Sequence, residues 1–435
     1  MQTSFSIAQL ADPDIAASND ILRKCVHCGF CTATCPTYVI RGDELDSPRG
    51  RIYLMKQAFE DGGPATAKLA RHLDRCLSCL ACMTTCPASV DYMHLVDHGR
   101  AFVAETYVRP LPERVLRRLL AIVLPYPKVF RLSLLGAWLG RPFARIMPDR
   151  LRAMLELAPR RINQPSAVDA AQVCRPAGTP RMRVALLSGC AQQVLRPSIN
   201  EATVRLLTRL GCEVVIAENM GCCGALVHHM GIEQQSHQAA MRNIAAWEQA
   251  EQKHGTIDYV VINASGCGTT VKDYGWMLRN DADWAERAAG IAAKTRDITE
   301  VLLELGLENL SDAPRPKLAY HSACSMQHGQ QLKSEPVQLL QAAGFSVTQP
   351  AEPHLCCGSA GTYNIMQPVW ATELRDRKVG NLRALDVDCV ATGNIGCLAQ
   401  ISAGMGRNGD PPVVHTVELL DWVTGGPKPE GLGVY

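Results

Sequence analysis

Cys25-Val-His-Cys28-Gly-Phe-Cys31-Thr-Ala-Thr-Cys35-Pro36 returns further along the chain as Cys76-Leu-Ser-Cys79-Leu-Ala-Cys82-Met-Thr-Thr-Cys86-Pro87. Each copy reads Cys-x-x-Cys-x-x-Cys-x-x-x-Cys-Pro. Three thiolates at two-residue gaps wrap one metal centre. The fourth, beside a proline, cannot easily reach back to it and ligates the other centre. This is the spacing of a pair of [4Fe–4S] clusters. The expected sets are therefore crossed: Cys25, Cys28, Cys31 and Cys86 for the first, and Cys35, Cys76, Cys79 and Cys82 for the second. The crossing staples two distant segments, so metal becomes part of the fold. Zinc also takes paired Cys-x-x-Cys sites, but the wider third gap and the proline match the cluster spacing.

The 435 residues include 19 cysteines. An odd count in tight local groups fits metal ligation rather than paired disulfides, and such thiolates point to a reducing compartment. Apolar residues make up 47 % and charged residues 20 %, which excludes a disordered chain and a small disulfide-stapled scaffold. The net charge of +2 gives no polyanion signal, so nucleic acid is not an expected partner. The first residues lack the basic and apolar regions of a signal peptide. The apolar runs 119–125 and 132–140 fall short of the roughly 20 residues that a membrane helix needs. The chain is expected to be soluble or peripheral.

Cysteine distribution divides the chain. Residues 1–15 read as a tail, and 16–100 carry eight cysteines as a two-cluster domain. Residues 101–180 hold Cys174 alone and read as a basic helical linker. Residues 181–310 and 311–435 hold the other ten cysteines and repeat each other. The first copy runs from Arg183-Val-Ala-Leu-Leu-Ser-Gly into Cys190, the second from Lys317-Leu-Ala-Tyr-His-Ser-Ala into Cys324. From Cys190 to the pair Cys222–Cys223 there are 31 intervening residues, and from Cys324 to Cys356–Cys357 there are also 31. Gly224 and Gly358 close the two Cys-Cys-Gly triplets. Later, Asp258-Tyr-Val-Val-Ile-Asn-Ala-Ser-Gly leads into Cys267, and Asp388-Cys-Val-Ala-Thr-Gly-Asn-Ile-Gly leads into Cys397. Short apolar runs such as 213–217 alternate with helical spacing such as 199–210, which predicts an α/β sheet in each copy. Single cysteines at strand ends stand where open α/β sheets place ligands.

Each repeat therefore offers four thiols: Cys190, Cys222, Cys223 and Cys267, then Cys324, Cys356, Cys357 and Cys397. Four suffice for one additional cluster each. The alternative is a pair of fold elements with one metal or none. Cys174, Cys212 and Cys389 lie outside both patterns and read as structural.

Residues 112–123 predict an amphipathic helix, with Val115, Leu116, Leu119, Leu120 and Val123 on one face and Arg114, Arg117 and Arg118 away from it. Between Arg109 and Arg161 twelve basic residues face three acidic ones. Such a stretch can bind an anionic membrane surface, or pack as a solvated face against a neighbouring domain or partner. His27 and His94 read as surface or packing residues. Arg49 and Arg51 follow the first cysteine run. There they favour a reduced cluster, dock a partner or remain solvated.

The Cys-Cys-Gly repeat is similar to the cysteine-rich CCG domain known from the B subunit of heterodisulfide reductase. In that relative five cysteines hold unusual [4Fe–4S] clusters, and the domain ends in Cys-x-x-Cys. Here Thr270 stands three residues after Cys267, and Gln400 three after Cys397. The whole order resembles the iron–sulfur subunits of glycolate oxidase (glycolate dehydrogenase) over nearly the full chain. The stretches that carry this are the run from Cys25, Gly42-Asp-Glu-Leu-Asp-Ser-Pro-Arg-Gly-Arg-Ile-Tyr-Leu, Ser265-Gly-Cys-Gly and His354-Leu-Cys-Cys-Gly-Ser-Ala-Gly-Thr-Tyr. The architecture alone is shared with subunits of lactate and anaerobic glycerol-3-phosphate dehydrogenases.

The resemblance implies an α+β multidomain fold. Its parts are a mainly helical two-cluster ferredoxin-like N-terminal domain, a helical linker and two repeated α/β CCG domains. It implies two [4Fe–4S] clusters, with one or two more in the repeats. It implies an electron-transfer subunit of an oxidoreductase complex in which a separate FAD subunit oxidises glycolate to glyoxylate, beside a second flavin-type subunit. It further implies that electrons pass toward an acceptor such as membrane quinone, on the cytoplasmic face of a bacterial inner membrane. The residues agree with that division: no G-x-G-x-x-G follows a strand, and no catalytic constellation stands out. A lactate or glycerol-3-phosphate dehydrogenase subunit, or a heterodisulfide-reductase-like enzyme, are the alternative readings.

Overall fold

The computed structural model describes residues 1–159, 161–406 and 409–432. The N-terminal part is helical. Its helices Pro13–Lys24, Pro48–Asp61, Ala67–Asp74 and Tyr92–Thr106 begin after Asp12, Ser47, Thr66 and Asp91, each of which accepts a first-turn backbone N–H. Those caps satisfy donors that a helix leaves unpaired at its start. Proline follows two of them, where a missing N–H costs nothing. Leu22, Met55, Phe59, Leu73, Leu95 and Val96 close the core between these helices. Residues 1–15, expected as a tail, are partly folded onto it. Ile7–Leu10 is helical, and Gln9 Nε2 donates to the Phe59 carbonyl at 2.9 Å.

Each repeat builds a sheet. Strands β1 (Gln172–Cys174), β2 (Met182–Leu186), β3 (Cys212–Ile216), β4 (Tyr259–Ile262) and β5 (Thr295–Asp297) lie in the order β1-β3-β2-β4-β5. Only β1 is antiparallel. It falls within the stretch expected as linker, so the first sheet begins before residue 181. Strands β6 (Leu318–Tyr320), β7 (Val347–Thr348), β8 (Cys389–Thr392) and β9 (Val413–His415) lie in the order β7-β6-β8-β9, all parallel. The second sheet thus repeats the parallel part of the first. The register repeats too: the Leu187 N–H donates to the Val261 carbonyl at 3.1 Å, and the His321 N–H to the Ala391 carbonyl at 2.9 Å. Val184, Ala185, Leu186, Val390 and Ala391 are fully buried, as parallel strands covered by helices on both faces require.

The two repeats share one apolar core, in which Leu186 and Leu206 join Leu318, Tyr320 and Val390. Helix Ser198–Arg209 packs on helix Thr416–Val423. There Arg205 and Arg209 both reach the buried carboxylate of Asp421, at 2.7 and 2.9 Å. At the cysteine-bearing end, the Asn394 amide donates to Ser265 Oγ at 3.0 Å and to Ser325 Oγ at 3.2 Å. That bridge brings the carboxyl ends of the two sheets together. Helices Leu111–Val123, Pro127–Gly140 and Asp149–Leu157 form a layer across this end.

Candidate metal centres

The two N-terminal cysteine loops fold alike. In the first, His27 and Gly29 are left-handed, with φ +56° and +86°; in the second, Ser78 and Leu80 take the matching places at +47° and +61°. Side chains resist this conformation, so its recurrence at three non-glycine positions marks a loop shaped around what it encloses. Backbone N–H groups turn inward, from His27 to Cys25, Ser78 to Cys76 and Ala81 to Cys79. Hydrogen bonds to sulfur are one means by which a protein tunes a thiolate-held cluster.

Cys25, Cys28, Cys31 and Cys86 line one small hollow together with Cys82. Cys35, Cys76, Cys79 and Cys82 line the next. The structure thus brings the fourth cysteine of each run beside three of the other run. Convergent thiols with inward N–H donors fit an iron–sulfur cluster in each hollow. Cys28 is exposed, and Cys31 and Cys86 are half-buried, whereas Cys35, Cys76, Cys79 and Cys82 are all buried. The first group faces outward and the second faces the repeats.

Arg51 is fully buried. Its guanidinium donates to the His72 carbonyl at 2.7 Å and to Thr37 Oγ1 at 3.1 Å, and stands 3.8 Å from Cys35 Sγ. Burial pushes the Cys76 thiol up, but the charges of Arg51 and Arg100 outweigh it and draw Cys76 below its usual value. Arg49 takes the other course: it pairs with Glu44 at the surface, at 3.1 Å. His94 bridges two domains, with Nδ1 2.6 Å from Asp91 and Nε2 2.8 Å from Asp273. Burial opposes its charge, but hydrogen bonds to Asp273 and Asp91 prevail and hold it at about 9.

In the repeats, every cysteine of the pattern sits beyond a strand end. Cys190 follows β2, Cys222 and Cys223 follow β3, and Cys267 opens the helix after β4. Cys324, Cys356, Cys357 and Cys397 occupy the corresponding places in the second sheet. Gly224 and Gly358 are left-handed at φ +91° and +87°. A Cβ at Gly358 would meet the Ala371 carbonyl oxygen at 2.5 Å, so only glycine fits there. Their N–H groups donate back to Cys222 Sγ at 3.5 Å and Cys356 Sγ at 3.4 Å. Cys324 Sγ lies 3.7 Å from Cys356 Sγ. Hydrogen bonds from Cys190 and Cys223 draw the Cys222 thiol well down. The four convergent thiols of each repeat fit a metal centre. Cys174, Cys212 and Cys389 lie on strands, away from both groups.

All eight repeat cysteines line one cavity of about 500 Å³. Its far wall is apolar, with Leu119, Phe130, Leu134, Ala137, Leu151 and Met154 from the three linker helices. The outer surface of those helices and of the 3-10 turn Arg141–Ile146 between them is apolar as well: Leu132, Trp138, Leu139, Phe143 and Ile146 are each more than half exposed. The helix Leu111–Val123 splits its apolar face. Leu116 and Leu120 pack with Val227, Met230 and Ile365, while Val115 and Ile122 remain exposed. Arg117 is engaged internally, 2.7 Å from Asp74. No described helix is long and apolar enough to cross a membrane.

The second N-terminal group adjoins the second repeat. Cys79 shares an apolar cluster with Cys356, and Cys324 packs against it. Cys79 and Cys324 are near enough for their charges to couple. Sequence reasoning missed this junction, the burial of Arg51 and the packing of the apolar linker helices over the repeat cysteines, because each depends on residues far apart in the chain.

Thiol-lined hollows in a helical domain, followed by two cysteine-bearing α/β repeats, define a multicentre iron–sulfur protein. Residues 24–90 match the 4Fe-4S dicluster domain, and residues 184–272 and 318–402 each match the cysteine-rich domain. The chain belongs to the family of glycolate oxidase iron–sulfur subunits. It is 43 % identical over 421 residues to the glycolate oxidase iron-sulfur subunit of Escherichia coli, covering 97 % of this chain and 98 % of that one. It is 33 % identical to the probable glycolate oxidase iron-sulfur subunit of Bacillus subtilis, covering 92 % and 93 %. Lactate utilization protein A of Bacillus licheniformis is 31 % identical, but over 55 % of this chain and 99 % of its own length. A hypothetical protein from Helicobacter pylori shares the fold, with TM-score 0.53, 10 % identity and coverage of 96 % of this chain and 73 % of that one.

Proposed function

We propose that this chain relays electrons within a glycolate-oxidising complex, from a separate FAD subunit to a membrane quinone. Cys25, Cys28, Cys31 and Cys86 would hold one cluster, and Cys35, Cys76, Cys79 and Cys82 a second. The two repeat groups, Cys190, Cys222, Cys223 and Cys267, then Cys324, Cys356, Cys357 and Cys397, would hold further ones. Clusters supply one-electron transfer, which lets a two-electron flavin discharge in steps. The outward-facing Cys28, rimmed by exposed Val26 and Phe30, offers the face for the flavin subunit.

The single observation that carries the acceptor is the cavity. The repeat cysteines open onto an apolar chamber whose roof exposes apolar side chains on its outer surface. A quinone is an apolar ring with an apolar tail, and bilayer is where it resides. Arg114, Arg118, Lys128 and Arg145 are exposed among those apolar residues, a pattern that suits an anionic lipid surface. The chain would thus lie peripherally on the cytoplasmic face of the inner membrane. The near full-length glycolate relatives favour glycolate over lactate as the complex's substrate.

The test uses the chain co-purified with its flavin subunit under anaerobic conditions. The expected iron content is about twelve to sixteen per chain, at four per cluster. Cys79→Ser should abolish glycolate-dependent quinone reduction while glycolate still bleaches the flavin. Quinone reduction that survives this substitution would overturn the relay.

A further inference from the structure

The second repeat holds a polar side chain that the first lacks. His321 follows β6 at the position where Leu187 follows β2, three residues before the first cysteine of each repeat. Their backbone N–H groups make equivalent bonds, so the two side chains occupy matching places. Leu187 is buried in an apolar cluster. His321 is equally buried, at 1 % exposure, and neither ring nitrogen has a hydrogen-bond partner. Buried polar groups in native proteins are nearly all bonded. An imidazole with neither nitrogen satisfied is an exception that needs a cause.

Its surroundings supply one. A ring nitrogen of His321 and the sulfurs of Cys357 and Cys397 lie within 4.8 Å of one another. Neutral imidazole is a common ligand for iron and other transition metals.

We propose that His321 ligates metal in the second repeat, where it joins Cys324, Cys356, Cys357 and Cys397 in a five-donor set. The proposal rests on the reading that this repeat holds an iron–sulfur centre. The other two cysteines of the repeat stand close together as well, with Cys324 Sγ 3.7 Å from Cys356 Sγ. The first repeat, with leucine in the matching place, has four donors. The two centres therefore differ. The buried Lys378 stands beside Cys357 and Cys356 in the second, and Arg242 beside Cys222 in the first.

The experiment is pulsed EPR on the anaerobically purified complex, with histidine labelled by nitrogen-15. The expected result is a histidine-nitrogen coupling on one centre, lost in His321→Leu, which installs the residue of the first repeat. His321→Cys should lose the coupling yet keep the iron, which separates ligation from folding. A coupling that persists in His321→Leu overturns the ligand. So does its absence from wild-type chain carrying about twelve or more irons. A chain with only about eight irons overturns the underlying reading, and the ligand with it.

Discussion

Thr84 Oγ1 stands 2.7 Å from His328 Nδ1. Burial pushes the His328 imidazole down to about 4, so the ring is neutral at ordinary pH. Its Nε2 faces the His354 carbonyl at 3.4 Å. Nε2–H therefore donates to that carbonyl, and Nδ1 accepts from the Thr84 hydroxyl. Thr84 lies on the short helix Ala81–Thr85, which carries Cys82. His328 lies in the π-helical turn Ser325–Gly329, directly after Cys324. One hydrogen bond thus ties the second N-terminal cysteine group to the second repeat.

Thr84→Val tests that tie. It keeps the shape but leaves Nδ1 unpaired, at a cost of roughly 1–3 kcal/mol. Hydrogen exchange should quicken in residues 325–329, and quinone-linked turnover should fall. Iron content and flavin reduction should not change. Exchange and turnover equal to wild type would mean that the junction is held without this bond.

The crossed cysteine sets make a prediction about pairs. Cys28→Ser and Cys86→Ser should each remove the same cluster, about four irons. Combining them should remove no more. Cys28→Ser combined with Cys35→Ser should remove about eight on the same arithmetic. Uncrossed sets give the opposite pattern, so metal analysis of the two double variants decides between them.

Arg51 places a positive charge against the second group. An added electron is stabilised by that charge, and removing it makes reduction harder. Arg51→Gln should lower the midpoint potential of that cluster by on the order of 60 mV, the one-electron equivalent of a tenfold equilibrium change. Arg51→Lys should recover most of it. The glutamine variant also leaves the buried Asp46 carboxylate with less compensation, which is destabilising. A redox titration followed by EPR reads the shift, and equal potentials in all three proteins would refute the electrostatic role.

Periodicity and spacing carried much of the architecture. The matched intervals around Cys222–Cys223 and Cys356–Cys357 exposed the repeat, since every pattern cysteine sits at a strand end that short apolar runs announce. Strand β1 was not legible: three residues, Gln172–Cys174, pair antiparallel with β3 without any local pattern. Arg51 was visible, but its burial was not, because Thr37, Asp46 and His72 enclose it from other segments. His321 left a trace. Aligning the repeats column by column sets it opposite Leu187, and a polar residue against an apolar one after a buried strand is a usable signal.

His94 gives the domain junction a pH dependence. Its folded value of about 9 lies above the ordinary 6.5. The protonated ring, held between Asp91 and Asp273, therefore stabilises the fold fully below pH 6.5. That contribution fades as pH rises through 9. Thermal stability should decline across this window, and His94→Gln should flatten the decline. A wild-type profile level between pH 6 and 9.5 would exclude His94 as its source.

The roof helices carry the membrane reading, and its test can be confined to them. Trp138, Leu132 and Ile146 are 63, 67 and 83 % exposed, so aspartate at these positions leaves the core intact. If these side chains enter lipid, each contributes roughly 1.5–3 kcal/mol of burial, about tenfold or more in partition. Each aspartate should cut flotation with anionic vesicles by at least that factor, and the triple variant should stay in solution. Added salt should weaken wild-type binding through the screened arginines, and iron content should stay constant throughout. Arg114→Gln and Arg118→Gln should mimic high salt. Arg117→Gln should act through Asp74 on stability instead, because its guanidinium is already engaged. Flotation indifferent to both the aspartates and the salt would assign this surface to a protein partner.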